Sequence, residues 1–109
     1  MDAIAVGSLE IRPDEFTASV DGRRLDLTVR ELQLLTALAA RADRIVSRSE
    51  LYAAVWGRPY HRDDRSVDVY VRKLRLKLEA ALPGSTVIHT HFGFGYRLSR
   101  VFHNQVTPR

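Results

Sequence analysis

The side chains of this chain best suited to binding chemistry are basic, and they are unevenly spread. Residues 1–40 hold seven acidic and four basic side chains, a balance of −3, whereas residues 41–109 hold six acidic and thirteen basic ones, a balance of +7. A basic majority confined to one part of a small domain is the electrostatic footprint of polyanion binding. An arginine-rich solvated surface would give the same count, so charge alone does not decide. The four histidines are His61, His89, His91 and His103. His89 and His91 stand two apart on an expected strand, where they share a face and could both reach a metal. No third ligand stands at a clear spacing, so no metal and no other cofactor is expected. The chain has no cysteine, which removes disulfides, thiolate zinc sites and thiol nucleophiles and fits a reducing compartment. No Ser/His/Asp order, carboxylate pair or phosphate-cradling glycine loop stands out, because Gly93 and Gly95 fall in an expected hairpin. The residues point to a binding module, not to an enzyme.

Five of the basic residues fall within Arg65–Leu82, and hydrophobic periodicity shows how that segment is built. Val67, Val71, Leu74 and Leu78 follow the i, i+4, i+7, i+11 spacing of a core-facing helical seam. Arg65, Val69, Arg72, Lys73 and Leu76 lie on the opposite side, with Arg75 and Lys77 flanking the seam. An exposed Val69 and Leu76 amid arginines suit a face that docks in a groove, where apolar atoms meet thymine methyls and Arg or Lys reaches guanine O6 and N7. Asp68 is unexpected there, since a carboxylate repels phosphate. Its i+4 neighbour is Arg72, so it is expected to pair with and orient that arginine, with a capping or solubility role as the alternative.

The other elements must position this helix. The chain is one domain's length with an ordinary hydrophobic fraction of 45%. No apolar run approaches a bilayer span. The start lacks the basic and apolar regions of a signal peptide, so a cytoplasmic location is expected and no membrane partner. Val6–Ile11, Phe16–Val20 and Arg24–Leu27 alternate apolar and polar residues between the turn signals Pro13-Asp14 and Asp21-Gly22, which predicts three or four antiparallel strands. A sheet so small must lay one face on something else. The period then changes to 3.6, with Leu32, Leu34, Leu35, Leu38 and Ala39 forming a stripe opened by a Thr28/Glu31 capping box. A second capping box, Ser47/Glu50, opens a short helix through Leu51, Ala54 and Val55 that ends before Gly57. Residues 57–64 read as a loop. Asp63 or Asp64 caps the third helix and Pro83-Gly84 stops it. Thr86–Thr90 and Tyr96–Arg100 read as strands joined by the turn His91–Gly95. Residues 1–101 thus form the domain, and 102–109 carry no pattern and are expected to fray.

Helix, helix, hairpin in this order is the winged helix-turn-helix arrangement, an α+β fold in which the hairpin grips backbone or minor groove beside an inserted helix. The competing reading is a winged helix used for protein contacts, which would show apolar anchors and fewer arginines on this face.

The motifs also resemble a known family. Leu27-Thr28-x-x-Glu31-Leu32-x-Leu34-Leu35, Val46-Ser47-Arg48-x-Glu50-Leu51 and Val55-Trp56-Gly57 are similar to the OmpR/PhoB-type effector domain of bacterial two-component response regulators. Arg65-Ser66-Val67-Asp68-Val69-Tyr70-Val71-x-x-Leu74-Arg75-x-Lys77-Leu78-Glu79 and Gly93-x-Gly95-Tyr96-Arg97-Leu98 continue the match, which covers residues 6–100. The resemblance implies a four-stranded N-terminal sheet, three helices, a C-terminal wing, and sequence-specific binding of double-stranded DNA for transcription regulation. It implies a monomer that pairs on direct-repeat sites. It also implies that the loop Trp56–Asp64, here Arg58, Tyr60, His61 and Arg62, contacts RNA polymerase. The eleven residues from Val55 to Arg65 exceed a simple helix-turn-helix turn, which independently suggests a loop with its own task. Family members are switched through an N-terminal receiver domain; the residues here match only the effector part, so no phosphoacceptor aspartate is expected. Carried over position by position, Arg72 and Lys73 match base- and backbone-reading positions, and together with Val69 and Leu76 of the same helix face they are expected to read bases. Arg65, Tyr70, Arg75, Trp56, Thr90 and Tyr96 match phosphate contacts, and Arg48, Lys77 and Arg97 are expected on the DNA backbone beside them. One departure concerns the wing. Many members carry an arginine just before the first wing glycine, where this chain has Phe92, preceded by His91 and followed by Phe94. A phenyl ring cannot supply the charge that a narrow minor groove attracts.

Overall fold

The computed structural model describes residues 2–104. Four short strands open the chain: β1 (Ile4–Val6), β2 (Leu9–Arg12), β3 (Thr17–Val20) and β4 (Arg23–Arg24). They form an antiparallel meander in sequence order. The expected run Val6–Ile11 is two strands, because Gly7 at φ +56° turns the chain so that Val6 pairs with Leu9. Asp21 and Gly22 both take positive φ, 50° and 80°, the mark of a tight two-residue hairpin, and this pairs Val20 with Arg23. The last strand therefore begins one residue earlier than expected and stops at Arg24, while Leu25–Leu27 lead into the first helix.

Helix α1 (Val29–Ala39) carries the complete capping box: Thr28 Oγ1 accepts from the Glu31 amide and Glu31 Oε1 accepts from the Thr28 amide at 2.8 Å. Helix α2 (Arg48–Trp56) carries only half of one. Ser47 Oγ accepts from the Glu50 amide, but the Glu50 carboxylate turns to Arg44 Nη2 at 3.1 Å. Gly57 closes α2 at φ +69°. Helix α3 (Ser66–Ala81) begins one residue after its expected start, with Asp64 Oδ1 accepting from the Ser66 amide at 2.8 Å. Strands β5 (Ser85–His91) and β6 (Gly95–Asn104) form the C-terminal hairpin. β6 runs beyond the expected Arg100, with Ser85 paired to Asn104 and Thr86 to His103, into the stretch expected to fray. The rest of that expectation, 105–109, lies outside the described residues.

One core joins these parts. Val6, Leu9, Ile11, Ala18 and Val20 from the sheet meet Leu32, Leu34, Leu35 and Leu38 of α1, Leu51 and Val55 of α2, the α3 seam, and Val87, Ile88 and Leu98 of the hairpin. The small sheet is thus covered on one face. The segment between α1 and α2 is tied to the hairpin by reciprocal backbone bonds between Val46 and Tyr96, at 2.7 and 2.9 Å. Asp43, at φ +68°, donates its amide to Leu98 O at 2.7 Å and accepts the Arg100 amide at 2.9 Å.

Candidate nucleic-acid interface

Helix α3 has the two faces that its periodicity implies. Val67, Val71, Leu74 and Leu78 are buried, whereas Arg65, Val69, Arg72, Lys73 and Leu76 are exposed. Val69 keeps 47% and Leu76 65% of its surface in water, which places two apolar side chains within a cationic face.

Beside that face, four side chains from α2, α3 and the hairpin interlock. Asp68 Oδ1 accepts from Arg48 Nε at 2.8 Å and from the Tyr96 hydroxyl, and Arg65 Nη1 stands 3.9 Å from Oδ2. The expected local pair with Arg72 is not what forms. Asp68 faces inward to α2 and the wing, and tertiary partners take it from its i+4 neighbour. Burial pushes the Asp68 carboxyl up, but the hydrogen bonds from Tyr96 and Arg48 and the charges of Arg48 and Arg65 together hold it below its usual range. Burial and the Asp68 carboxylate push the Tyr96 hydroxyl up, so it stays protonated and donates. The Arg48 and Arg75 guanidinium carbons lie 5.4 and 5.5 Å from the Tyr96 ring centroid.

Several of the side chains expected on the DNA backbone have partners within the fold, Arg48 through Asp68 and Arg97 through His91 among them. The Tyr96 ring is buried. Arg75 donates through Nε and Nη2 to Ile88 O at 3.2 and 3.0 Å, and through Nη2 to Thr90 Oγ1 at 2.6 Å, bracing α3 against β5. Lys77 Nζ binds Glu31 Oε1 at 2.7 Å and Asp26 O at 2.6 Å. Residues that flank a buried seam are close enough to the core to be claimed by it. The Thr90 hydroxyl is likewise engaged by Arg75.

Trp56 and Tyr70 belong to an aromatic cluster under the loop. Tyr52 stacks on Trp56 with centroids 4.9 Å apart, Tyr70 meets Trp56 edge-on at 5.7 Å, and Tyr60 tilts against Tyr52 at 5.6 Å. Lys73 Nζ sits 4.7 Å from the Tyr70 centroid, linking the exposed α3 face to this cluster. Arg30 of α1, not singled out in the sequence, lies 5.1 Å from the Trp56 ring and donates to Val55 O at 2.8 Å. Its partners stand some 25 residues away, and no local spacing signals them. In the loop, Arg58 Nε donates to the Tyr52 hydroxyl at 3.1 Å and Tyr60 is half-buried, while His61 and Arg62 are exposed.

The hairpin tip is a tight turn in which the Phe94 amide donates to His91 O at 2.9 Å and Gly93 takes φ +82°. Arg97 Nε donates to His91 Nε2 at 3.1 Å, which engages the outer histidine of the His89/His91 pair. Among the described residues no group of three or more His, Cys, Asp or Glu is placed to hold a metal. Gly95 has a steric reason to be glycine: at φ +143°, a Cβ would lie 2.0 Å from Val46 O.

This geometry agrees with known proteins. The family model described as "Transcriptional regulatory protein, C terminal" matches residues 22–98. The transcriptional regulatory protein AfsQ1 of Streptomyces coelicolor is 40% identical over 97 residues, which cover 89% of this chain and 43% of AfsQ1. This chain therefore spans less than half the length of that relative. Among solved structures, the DNA-binding domain of CpxR from E. coli superposes with a TM-score of 0.82 at 32% identity, covering 91% of this chain and 97% of that one. The Klebsiella pneumoniae RstA DNA-binding domain, solved in complex with the RstA box, gives 0.82 at 31% identity over 93% of this chain and all of that one. Matched motifs, winged-helix architecture and the basic outward face of α3 agree: the chain belongs to the C-terminal, OmpR/PhoB-type effector domains of transcriptional regulatory proteins, a family that is not enzymatic.

Proposed function

We propose that the chain binds double-stranded DNA sequence-specifically as the effector domain of a cytoplasmic response regulator, with α3 in the major groove. The observation that carries this reading is the outward face of α3, where Val69, Arg72, Lys73 and Leu76 are exposed opposite four buried residues. Arg72 and Lys73 would hydrogen-bond base edges, and Val69 and Leu76 would meet methyl groups. Arg48, Arg65, Tyr70 and the Arg97 edge of the hairpin would lie along phosphates, with Trp56 supporting Tyr70 from below. Lys77, Arg75, Tyr96 and Thr90 are left out of this set, because their polar groups serve the fold, whereas Arg48 and Arg97, bonded internally through Nε, stay half-exposed. The hairpin would rest on backbone or minor groove through His91 and Phe92. The neighbour RstA, solved with its DNA box, supports the class of ligand.

The exposed loop residues Arg58, His61 and Arg62 would be offered to RNA polymerase, and two monomers would pair on a direct repeat. Selection of duplexes from a random pool, followed by footprinting, tests the core of this reading. It expects enrichment of one motif with major-groove protection under α3. A chain that enriches nothing overturns it.

A further inference from the structure

We propose that the wing tip is an apolar wedge, in which Phe92 enters the minor groove and kinks the duplex at one base step. This rests on the DNA-binding reading above and adds to it a mode of sequence selection that works through deformability.

The first observation is exposure. Phe92 keeps 88% of its surface in water and Phe94 72%, so each is more exposed than any other large apolar residue described. Neither packs on the core; they flank Gly93 at the outermost turn of the hairpin. A solvated tip would be served as well by Asn, Ser or Lys, and neither phenyl ring packs on the core formed by the described residues.

The second observation is that the tip is held at a set place beside the reading helix. The pair His91–Gly95 closes the turn, and Thr90–Tyr96 is the next pair down. Tyr96 is fixed three ways, by Asp68 of α3, by Arg48 of α2 and by both backbone bonds to Val46. Thr90 is fixed by Arg75 of α3. Phe92 thus stands two residues from an anchored strand position, and the anchor is the helix that would lie in the groove. A wedge needs such support, because force applied to stacked bases must be borne by the protein.

The third observation is charge. From residue 80 to the end of the sequence there is no Asp or Glu, while Arg97 and Arg100 lie on β6. The outer part of the hairpin, 88–98, can therefore approach phosphates with no carboxylate of its own, while Arg100, lower on β6, is paired with Asp43 at 3.3 Å. A phenyl ring at the tip of a hairpin whose β6 strand carries the cation Arg97 fits a minor groove that is opened and bent away from the protein, where apolar side chains part a base step. Steps that unstack easily, such as TA and CA/TG, would be favoured under the tip with no hydrogen bond to any base.

The test uses the duplex that the chain itself selects from a random pool. Bending is read by energy transfer between dyes at the duplex ends, and unstacking by 2-aminopurine placed at each step under the hairpin. The wild-type chain is expected to bend the duplex by roughly 20–90° and to brighten 2-aminopurine at a single step. Phe92→Ala is expected to abolish both signals and weaken binding about tenfold or more, with the slope of log K against log salt unchanged, since no ion pair is lost. Phe92→Leu is expected to keep the kink. Phe92→Arg is expected to restore affinity without the kink and to steepen the salt slope by about one. The residue is solvent-exposed, so these variants should fold. A straight wild-type complex, or a bend that survives Phe92→Ala, overturns the wedge while leaving the DNA-binding reading intact. A chain that selects no duplex overturns both.

Discussion

The carboxylate of Asp68 and the hydroxyl of Tyr96, 28 residues apart in sequence, share a hydrogen bond that joins the recognition helix to the wing. Arg48 completes the contact from α2, so one carboxylate ties together the three elements that would face DNA. This contact is expected to matter for both stability and fit. Asp68→Ala would leave Arg48 and Tyr96 without their acceptor and is expected to destabilise the domain by about 1–3 kcal/mol. For a domain of this size that lowers the melting temperature by roughly 4–8 °C per kcal/mol, readable by circular dichroism. Tyr96→Phe removes one bond only and should cost less.

Acid should weaken the same contacts. In both Asp68 and Glu31, burial pushes the carboxyl up, but hydrogen bonds and cationic neighbours more than offset it, so the folded-state value is lowered. A lowered folded-state pKa contributes stability at pH above the unfolded value and loses it as pH falls through the folded one. The melting temperature is therefore expected to hold from neutral pH to about pH 4 and to drop below it. The drop should be shallower in Asp68→Asn. An equally steep acid limb in that variant would place the titrating groups elsewhere.

Lys77 and Arg75 should behave as structural cations. Lys77→Met leaves the buried Glu31 carboxylate without its ammonium and is expected to cost about 1–3 kcal/mol. Arg75→Lys is expected to rescue little, because an ammonium cannot span Ile88 O and Thr90 Oγ1 as the guanidinium does. Both variants should show the wild-type salt slope on DNA. A slope flattened by about one would instead place that cation on a phosphate.

Lys73 and Arg65 should behave differently from these and from each other. Lys73→Ala is expected to lower specific affinity by about 1–3 kcal/mol and to relax base preference at one position. Arg65→Ala should weaken binding to all sequences and flatten the salt slope by about one. Competition between the selected duplex and a scrambled one distinguishes the two. If Lys73→Ala keeps the wild-type ratio, the major-groove assignment is wrong.

Gly95→Ala would press a methyl group into the Val46 carbonyl. It is expected to cost about 2 kcal/mol or more, or to displace the wing, and DNA protection under the hairpin should fade before that under α3.

What the sequence made legible was whatever rests on local spacing. The Thr28/Glu31 box, the α3 seam and the exposed Val69 and Leu76 all depend on residues within a few turns of each other, and each lies where periodicity puts it. What it hid depends on distant partners. Asp68 could be matched only to its neighbour Arg72, since nothing local points 20 residues back to Arg48 or 28 forward to Tyr96. Glu50 has the spacing of a capping box, yet Arg44 outcompetes the cap amide for it. Arg75 and Lys77 sit at the border of the seam, where a wheel cannot say whether a long cation reaches inward or outward. The extension of β6 past Arg100 is invisible for the same reason, because His103 and Asn104 pair with Thr86 and Ser85 and show no pattern of their own.

The bridge between Val46 and Tyr96 has a bearing on how the domain comes apart. It closes the chain over fifty residues, and Asp43 with Leu98 and Arg100 reinforces it. The hairpin is therefore not an appendage that can melt while the helices persist. Amide protons of Val46 and Tyr96 should exchange with solvent only as slowly as the helical core opens, so the wing and the helix-turn-helix form a single cooperative unit.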